Sequence, residues 1–183
     1  EKADSSGNKI IKVRGSDKIL NADIIPCTTY HYYHPNGYFK GIKLILDVPD
    51  GKTHANYPDQ HLENGKDKNI ATGKRYKHIV RILKNVENYL VENENITDYH
   101  SFMIESLAFN ILNTTYLAKN TWRGIFEDLC IEAWNYLNTN EPGVESLRWV
   151  EVNNYKFLFH DHQKWTRDDA KNFIVSIYNL IKN

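Results

Sequence analysis

The sequence predicts an α+β fold: a small sheet followed by a helical bundle. Three observations lead there. Short β-branched runs punctuated by turn residues fill the first third of the chain. From Pro58 onward the apolar residues recur at helical spacing instead. The 183 residues, 41% hydrophobic and 25% charged, have the balance of a folded domain. The division expected is a sheet region over 1–57 and a helical lobe over 58–183.

Ile10–Arg14 is the first strand, with Gly15-Ser16-Asp17 turning the chain. Ile19–Ile25 is the second, stopped by Pro26, with Asp23 set among apolar neighbours. Cys27–Tyr33 continues extended, and His34-Pro35-Asn36-Gly37 is a turn. Gly41–Val48 reads as a further strand, and Pro49-Asp50-Gly51-Lys52 as a hairpin loop returning through Thr53–Tyr57.

Pro58 suits the first turn of a helix because it has no amide proton to lose there. Lys74–Asn93 has the strongest helical period. Ile79, Ile82, Leu83, Val86 and Leu90 make one face, and Lys74, Lys77, Arg81 and Lys84 lie close to the opposite one. Thr97 or Asp98 is expected to cap the next helix, which runs to about Asn113. Thr121–Asn138 follows, ended by Asn140-Glu141-Pro142-Gly143, and a short helix is expected near Val144–Trp149. Thr166-Arg167-Asp168-Asp169 has the layout of a capping box and opens a last helix to about Ile181.

The 23 basic and 23 acidic residues cancel, so net charge gives no pull toward nucleic acid or membrane. No apolar run approaches the roughly 18 residues that span a bilayer, and from the polar opening Glu1–Gly7 no signal peptide is expected. Two cysteines, Cys27 and Cys130, do not make a disulfide scaffold, and a cytoplasmic protein is expected. Charge is nevertheless local. Lys66, Lys68, Lys74, Arg75, Lys77, Arg81 and Lys84 crowd into residues 65–84 against Asp67 alone. Such a stripe is either an anion site or a solvated helix face.

Asp23 is either a metal ligand or a strand residue that points to solvent. His31 and His34, with Tyr30, Tyr32, Tyr33 and Tyr38 around them, fit an exposed hairpin better than a metal site or stacking platform. His160-Asp161-His162 lacks a further ligand at tight spacing, which argues against zinc. Cys130 reads as core. The sequence has no glycine-rich phosphate loop of a common type.

Several stretches, in order, resemble the cGAS/DncV-like nucleotidyltransferases, or CD-NTases. They are Asn21–Cys27, Asn56–Gly65, Lys68-Asn69 with Thr72-Gly73, Arg75–Asn85, Ser101–Leu107 with Asn110, and Lys156–Phe159 with Trp165. The resemblance spans about Ile10 to Ile181. It implies a polymerase-β-like nucleotidyltransferase sheet, partial here, ahead of the bundle. It also implies chemistry in which three carboxylates hold two magnesium ions that activate a ribose hydroxyl and neutralise a triphosphate. By that likeness Asp23 is the third carboxylate, catalytic and metal-binding. Lys84, with Arg81 and Lys77, contacts the donor triphosphate, and Ser101 donates to the same phosphates. Phe102 falls where some relatives stack a tyrosine on the base.

The family's Gly-Ser loop and its paired aspartates do not occur in this sequence, and Gly15-Ser16 is not that loop because no aspartate pair follows it. The expectation is a C-terminal portion of a bacterial synthase of cyclic or linear oligonucleotide messengers, inactive by itself. In anti-phage defence its product would switch on a downstream effector. Expected partners are nucleoside triphosphates and either the missing N-terminal segment or another copy. A catalytically inactive module that binds nucleotide or RNA is the alternative.

Overall fold

A computed structural model describes residues 3–4, 11–16, 20–44, 55–94, 98–161 and 163–182. The chain divides into two compact units, Glu1–Asp59 and Gln60–Asn183. The fold is mixed α+β, with two small antiparallel sheets and, among the described residues, six α-helices.

In the first unit, β1 (Ala3–Asp4), β2 (Ile11–Val13) and β3 (Ala22–Ile24) form one sheet in that order. The register sets Ile11 against Ile24, Lys12 against Asp23 and Val13 against Ala22. Side chains alternate along a strand, so Asp23 and Lys12 share one face while the apolar pairs share the other. Only three residues of the expected Ile19–Ile25 strand pair with β2.

The second sheet is a long hairpin, β4 (Cys27–His34) and β5 (Gly37–Leu44), with β6 (Ala55–Asn56) added at the edge of β5. The strand expected to begin at Gly41 begins at Gly37. His34 pairs with Gly37 across a two-residue turn, so the register runs unbroken back to Cys27 and Leu44. Gly37, at φ 138°, occupies a region that favours glycine. Gly41 is needed for closeness: a Cβ there would lie 2.6 Å from the Asn56 carbonyl oxygen and 2.9 Å from the Tyr57 ring. The expected loop at Pro49–Lys52 lies outside the described residues.

The second unit is helical. α1 (Pro58–Ala71) begins on its proline, and α2 (Arg75–Glu94) follows after a tight turn. Lys74 therefore leaves the helix it was assigned to. It adopts φ 65° beside Gly73 at φ 60°, and Thr72 Oγ1 accepts the Tyr76 amide that opens α2. α3 (Ser101–Asn110) starts later than a cap at Thr97 or Asp98 would place it. His100 is the N-cap residue and its side chain makes no capping bond. Glu87, buried on α2, accepts the Tyr99 amide just ahead instead.

α3 also ends early, at Asn110, with Ile111 extended. The reason is that side chains take over the next backbone groups. Lys68 Nζ donates to the Ile111 carbonyl, and Glu132 accepts the Leu112 amide. The chain then re-enters a helix, α4 (Asn113–Leu117). α5 (Trp122–Leu137) is capped by Thr121, whose Oγ1 accepts the Gly124 amide. The helix expected near Val144–Trp149 is one 3-10 turn over Glu145–Leu147. α6 (Arg167–Lys182) opens on the expected capping box. Thr166 Oγ1 accepts the Asp169 amide at 3.1 Å, and Asp169 Oδ2 accepts the Thr166 amide at 2.8 Å.

The helices close on a core that includes Ile79, Leu83, Met103, Ile104, Leu107, Leu129, Phe173 and Ile177. Cys130 lies in it as expected, and burial pushes its thiol up to about 12. No described helix is long and apolar enough to cross a membrane.

Candidate functional site

The basic stripe of residues 65–84 divides by what each cation touches. Lys68 turns inward: its amine lies over the rings of Phe109 and Tyr116, and burial lowers it to about 8. Arg75 donates to the carbonyls of Tyr116 and Lys119 at the end of α4. Both neutralise carbonyl-rich chain ends, the ordinary work of a cation near a helix C-terminus. Lys77, Arg81 and Lys84 remain on one face of α2, at i, i+4 and i+7. Lys77 and Arg81 are exposed and make no ion pair among the described residues.

Lys84 is half-buried, and its Nζ donates to Glu105 Oε2 at 3.0 Å. The other oxygen of Glu105 lies 3.3 Å from His61 Nε2 on α1. The bond to His61, with the Lys84 ammonium beside it, holds the Glu105 carboxyl down at about 2 against the cost of burial. One carboxylate on α3 thus links side chains from α1 and α2.

An aromatic edge adjoins these charges. The His61 ring lies 5.4 Å from that of Phe102, Phe102 lies 6.0 Å from Trp165, and Trp165 lies 5.5 Å from His100. Phe102 is partly exposed. Ser101 and Glu105 are four residues apart on α3, so the exposed Ser101 hydroxyl stands one turn before the carboxylate that holds Lys84. The first amides of α3 lack a side-chain cap, and a helix start of this kind favours an anion. The cluster offers cations, a hydroxyl and an aromatic face, which suits a phosphate ester that carries a flat ring.

Asp23 lies in the other unit. It is exposed on β3, directly across from Lys12. Among the described residues no group of three His, Cys, Asp or Glu gathers as a metal site would require. A magnesium ion takes about six oxygen ligands in octahedral array. Asp23 with a lysine opposite does not supply that set. His31 and His34 lie on opposite faces of the β4–β5 hairpin. His31 packs on Tyr38 at 4.3 Å and His34 on Phe39 at 4.4 Å, the exposed aromatic hairpin expected. His160 approaches the buried Glu151 carboxylate at 3.9 Å, and His162 lies outside the described residues.

Sequence reasoning missed Glu105 and His61 as members of the site. The four-residue spacing from Ser101 to Glu105 was available as a signal. Nothing local to His61 shows that it meets a carboxylate 44 residues away.

Residues 63–182 match the family model of the C-terminal helical domain of cGAS/DncV-like nucleotidyltransferases. The chain belongs to the cGAS/DncV-like nucleotidyltransferase family. It is 31% identical to a cyclic dipyrimidine nucleotide synthase of Legionella pneumophila, over 97% of this chain and 59% of that protein. It is 30% identical to a cyclic dipurine nucleotide synthase of Elizabethkingia meningoseptica, over 95% of this chain and 58% of that one. Among solved structures, the Elizabethkingia meningoseptica CdnE cyclic dinucleotide synthase with GTP and Apcpp superposes with a TM-score of 0.85 at 28% identity. The match covers 100% of this chain and 65% of that one. The chain thus spans about three fifths of the length of these CD-NTase relatives.

Proposed function

We propose that this chain is the phosphate-gripping portion of a bacterial, cytoplasmic CD-NTase. The whole enzyme would join nucleoside triphosphates into a cyclic or linear oligonucleotide messenger that serves anti-phage defence. One observation carries the reading. The Lys77–Arg81–Lys84 face and the Ser101–Phe102 start of α3 meet at the Lys84–Glu105 pair, in a helical unit that matches this family.

Each residue has a distinct task in that reading. The Lys84 ammonium has three protons, and one of them goes to Glu105. The others are available to a triphosphate. Lys77 and Arg81 add charge along the same face and draw the anion in. Ser101 donates its hydroxyl while the start of α3 contributes its amides and dipole. Phe102 offers a stacking surface to the base and, unlike a tyrosine, no hydrogen bond. Asp23 contributes one carboxylate to a magnesium site. The described residues do not complete that site, and magnesium bound there would supply Lewis-acid chemistry at the phosphates.

The test is product formation by the longest polypeptide of the reading frame that contains these residues. It would receive all four labelled nucleoside triphosphates with magnesium, beside Asp23→Asn. A product that disappears in the variant is the expected result. Nucleotide or RNA binding that falls with salt, needs no magnesium and yields no product would favour the binding-module alternative. A chain that neither binds nor converts nucleotide would overturn both readings.

A further inference from the structure

We infer that Glu105 is a positioning residue that fixes the Lys84 ammonium for phosphate and, through His61, ties it to the Phe102 surface. The inference rests on the functional reading above, in which Lys84 meets a triphosphate and Phe102 a base.

The geometry that supports it is a continuous chain of contacts. Lys84 Nζ is 3.0 Å from Oε2 of Glu105, Oε1 is 3.3 Å from Nε2 of His61, and the His61 ring is 5.4 Å from the Phe102 ring. The members come from α2, α3 and α1, so they hold three helices in one arrangement. Each oxygen of the carboxylate has its own partner, which fixes the orientation of both. A lysine on a four-carbon stem has many rotamers, and a bond to one proton restricts them while two protons remain to donate. The Glu105 backbone carbonyl also faces the Tyr76 hydroxyl at 3.5 Å, so the carboxylate starts from a seated helix turn. The carboxylate stays ionised throughout the neutral range, since its pKa is held near 2.

Two separable consequences follow. Glu105→Gln keeps an oxygen for His61 and removes the charge that holds Lys84. It should act on the phosphate end of a nucleotide. His61→Leu keeps the Lys84–Glu105 pair and removes the ring against Phe102. It should act on the base end.

The experiment titrates the longest polypeptide of the reading frame with Apcpp and, separately, with AMP. The variants are Glu105→Gln, His61→Leu, Lys84→Ala and the Lys84→Ala/Glu105→Gln double variant. Melting temperature is followed for each, so that unfolding is not mistaken for weaker binding. Glu105→Gln should weaken Apcpp about tenfold, the scale of one charge-assisted contact, and AMP much less. His61→Leu should weaken both ligands by a similar factor. In the Lys84→Ala background Glu105→Gln should have almost no further effect, because its partner is gone.

Full Apcpp affinity in a folded Glu105→Gln protein overturns the inference. So does an equal additional loss in the double variant, which would show Glu105 acting independently of Lys84. A wild-type protein that binds neither ligand overturns the functional reading itself, an outcome distinct from these two.

Discussion

The helical unit and the strand unit bury their apolar residues very differently. In the helices Ile79, Met103 and Ile104 are fully buried, and Tyr76 and Phe173 pack with them. In the strands every residue of β3 is exposed, with Ile24 at 52%, and Ile25 just after it is 46% exposed. The amphipathic 20-residue α2 and the largely apolar α3 close a core with their neighbours. Strands of two or three residues cannot, because a small sheet needs a surface to cover its apolar face. The contrast teaches that the proposed functional residues of the two units stand on unequal supports. Lys84 and Glu105 stand on packed helices, whereas Asp23 stands on a short, uncovered strand.

The largest expected effect tests that contrast directly. Leu107→Ala empties a buried position and should cost about 2–5 kcal/mol of stability, read from denaturant unfolding. Ile24→Ala on β3 should cost under about 0.5 kcal/mol, as exposed positions do. Equal losses would break the comparison. Gly41→Ala comes next. Its new methyl would press on the Asn56 carbonyl, and a displacement of this kind costs roughly 1–3 kcal/mol. Hydrogen exchange should show the loss at β5 and β6 and spare α3.

Glu105→Gln is a smaller perturbation with a defined pH signature. The native carboxyl titrates near 2, below the ordinary glutamate value of 4.5. The unfolded chain therefore takes up the proton first as pH falls. The stability that Glu105 contributes is complete above about pH 4.5 and is lost as pH falls toward 2. Near pH 7 the variant should be less stable by roughly 1–2 kcal/mol, discounted for partial exposure. The gap between variant and wild type should close across that acid window. Acid titration of unfolding checks it, and a constant gap would contradict the pair. The smallest effect is Lys74→Gly. Lys74 sits at φ 65°, so glycine should change stability by under about 1 kcal/mol. Apcpp binding should be unchanged, since Lys74 lies in the turn ahead of α2 and takes no part in the Lys84–Glu105 pair.

What was legible in the sequence follows the same division. The periodicity of residues 75–94 and the Thr166–Asp169 box were readable because each depends on neighbours within a turn or two. The α+β class and the exposed positions of Lys77 and Arg81 were readable for that reason, whereas Lys84, expected opposite the apolar face, is half-buried between α2 and α3. Strand limits were not, since β3 is defined by which three residues find partners on β2. Nor was the division of the basic stripe. Lys68 and Lys84 look alike in a run of lysines. Yet one amine is half-buried against the Ile111 carbonyl and the other meets a carboxylate on α3. The stop after Asn110 and the His61–Glu105 contact also depend on residues far away in the chain.

The most direct measurement is Apcpp binding by the longest polypeptide of the reading frame, wild type beside the Lys77→Ala/Arg81→Ala/Lys84→Ala variant, at low and moderate salt. Lys77 and Arg81 are exposed while Lys84 is half-buried against Glu105, so the variant should fold with a modestly lowered melting temperature, which is followed beside binding. The expected result is a loss of about a hundredfold or more in affinity, together with a shallower salt dependence as phosphate contacts disappear. A folded triple variant that binds Apcpp as tightly as wild type would contradict the claim that this helix face grips the triphosphate.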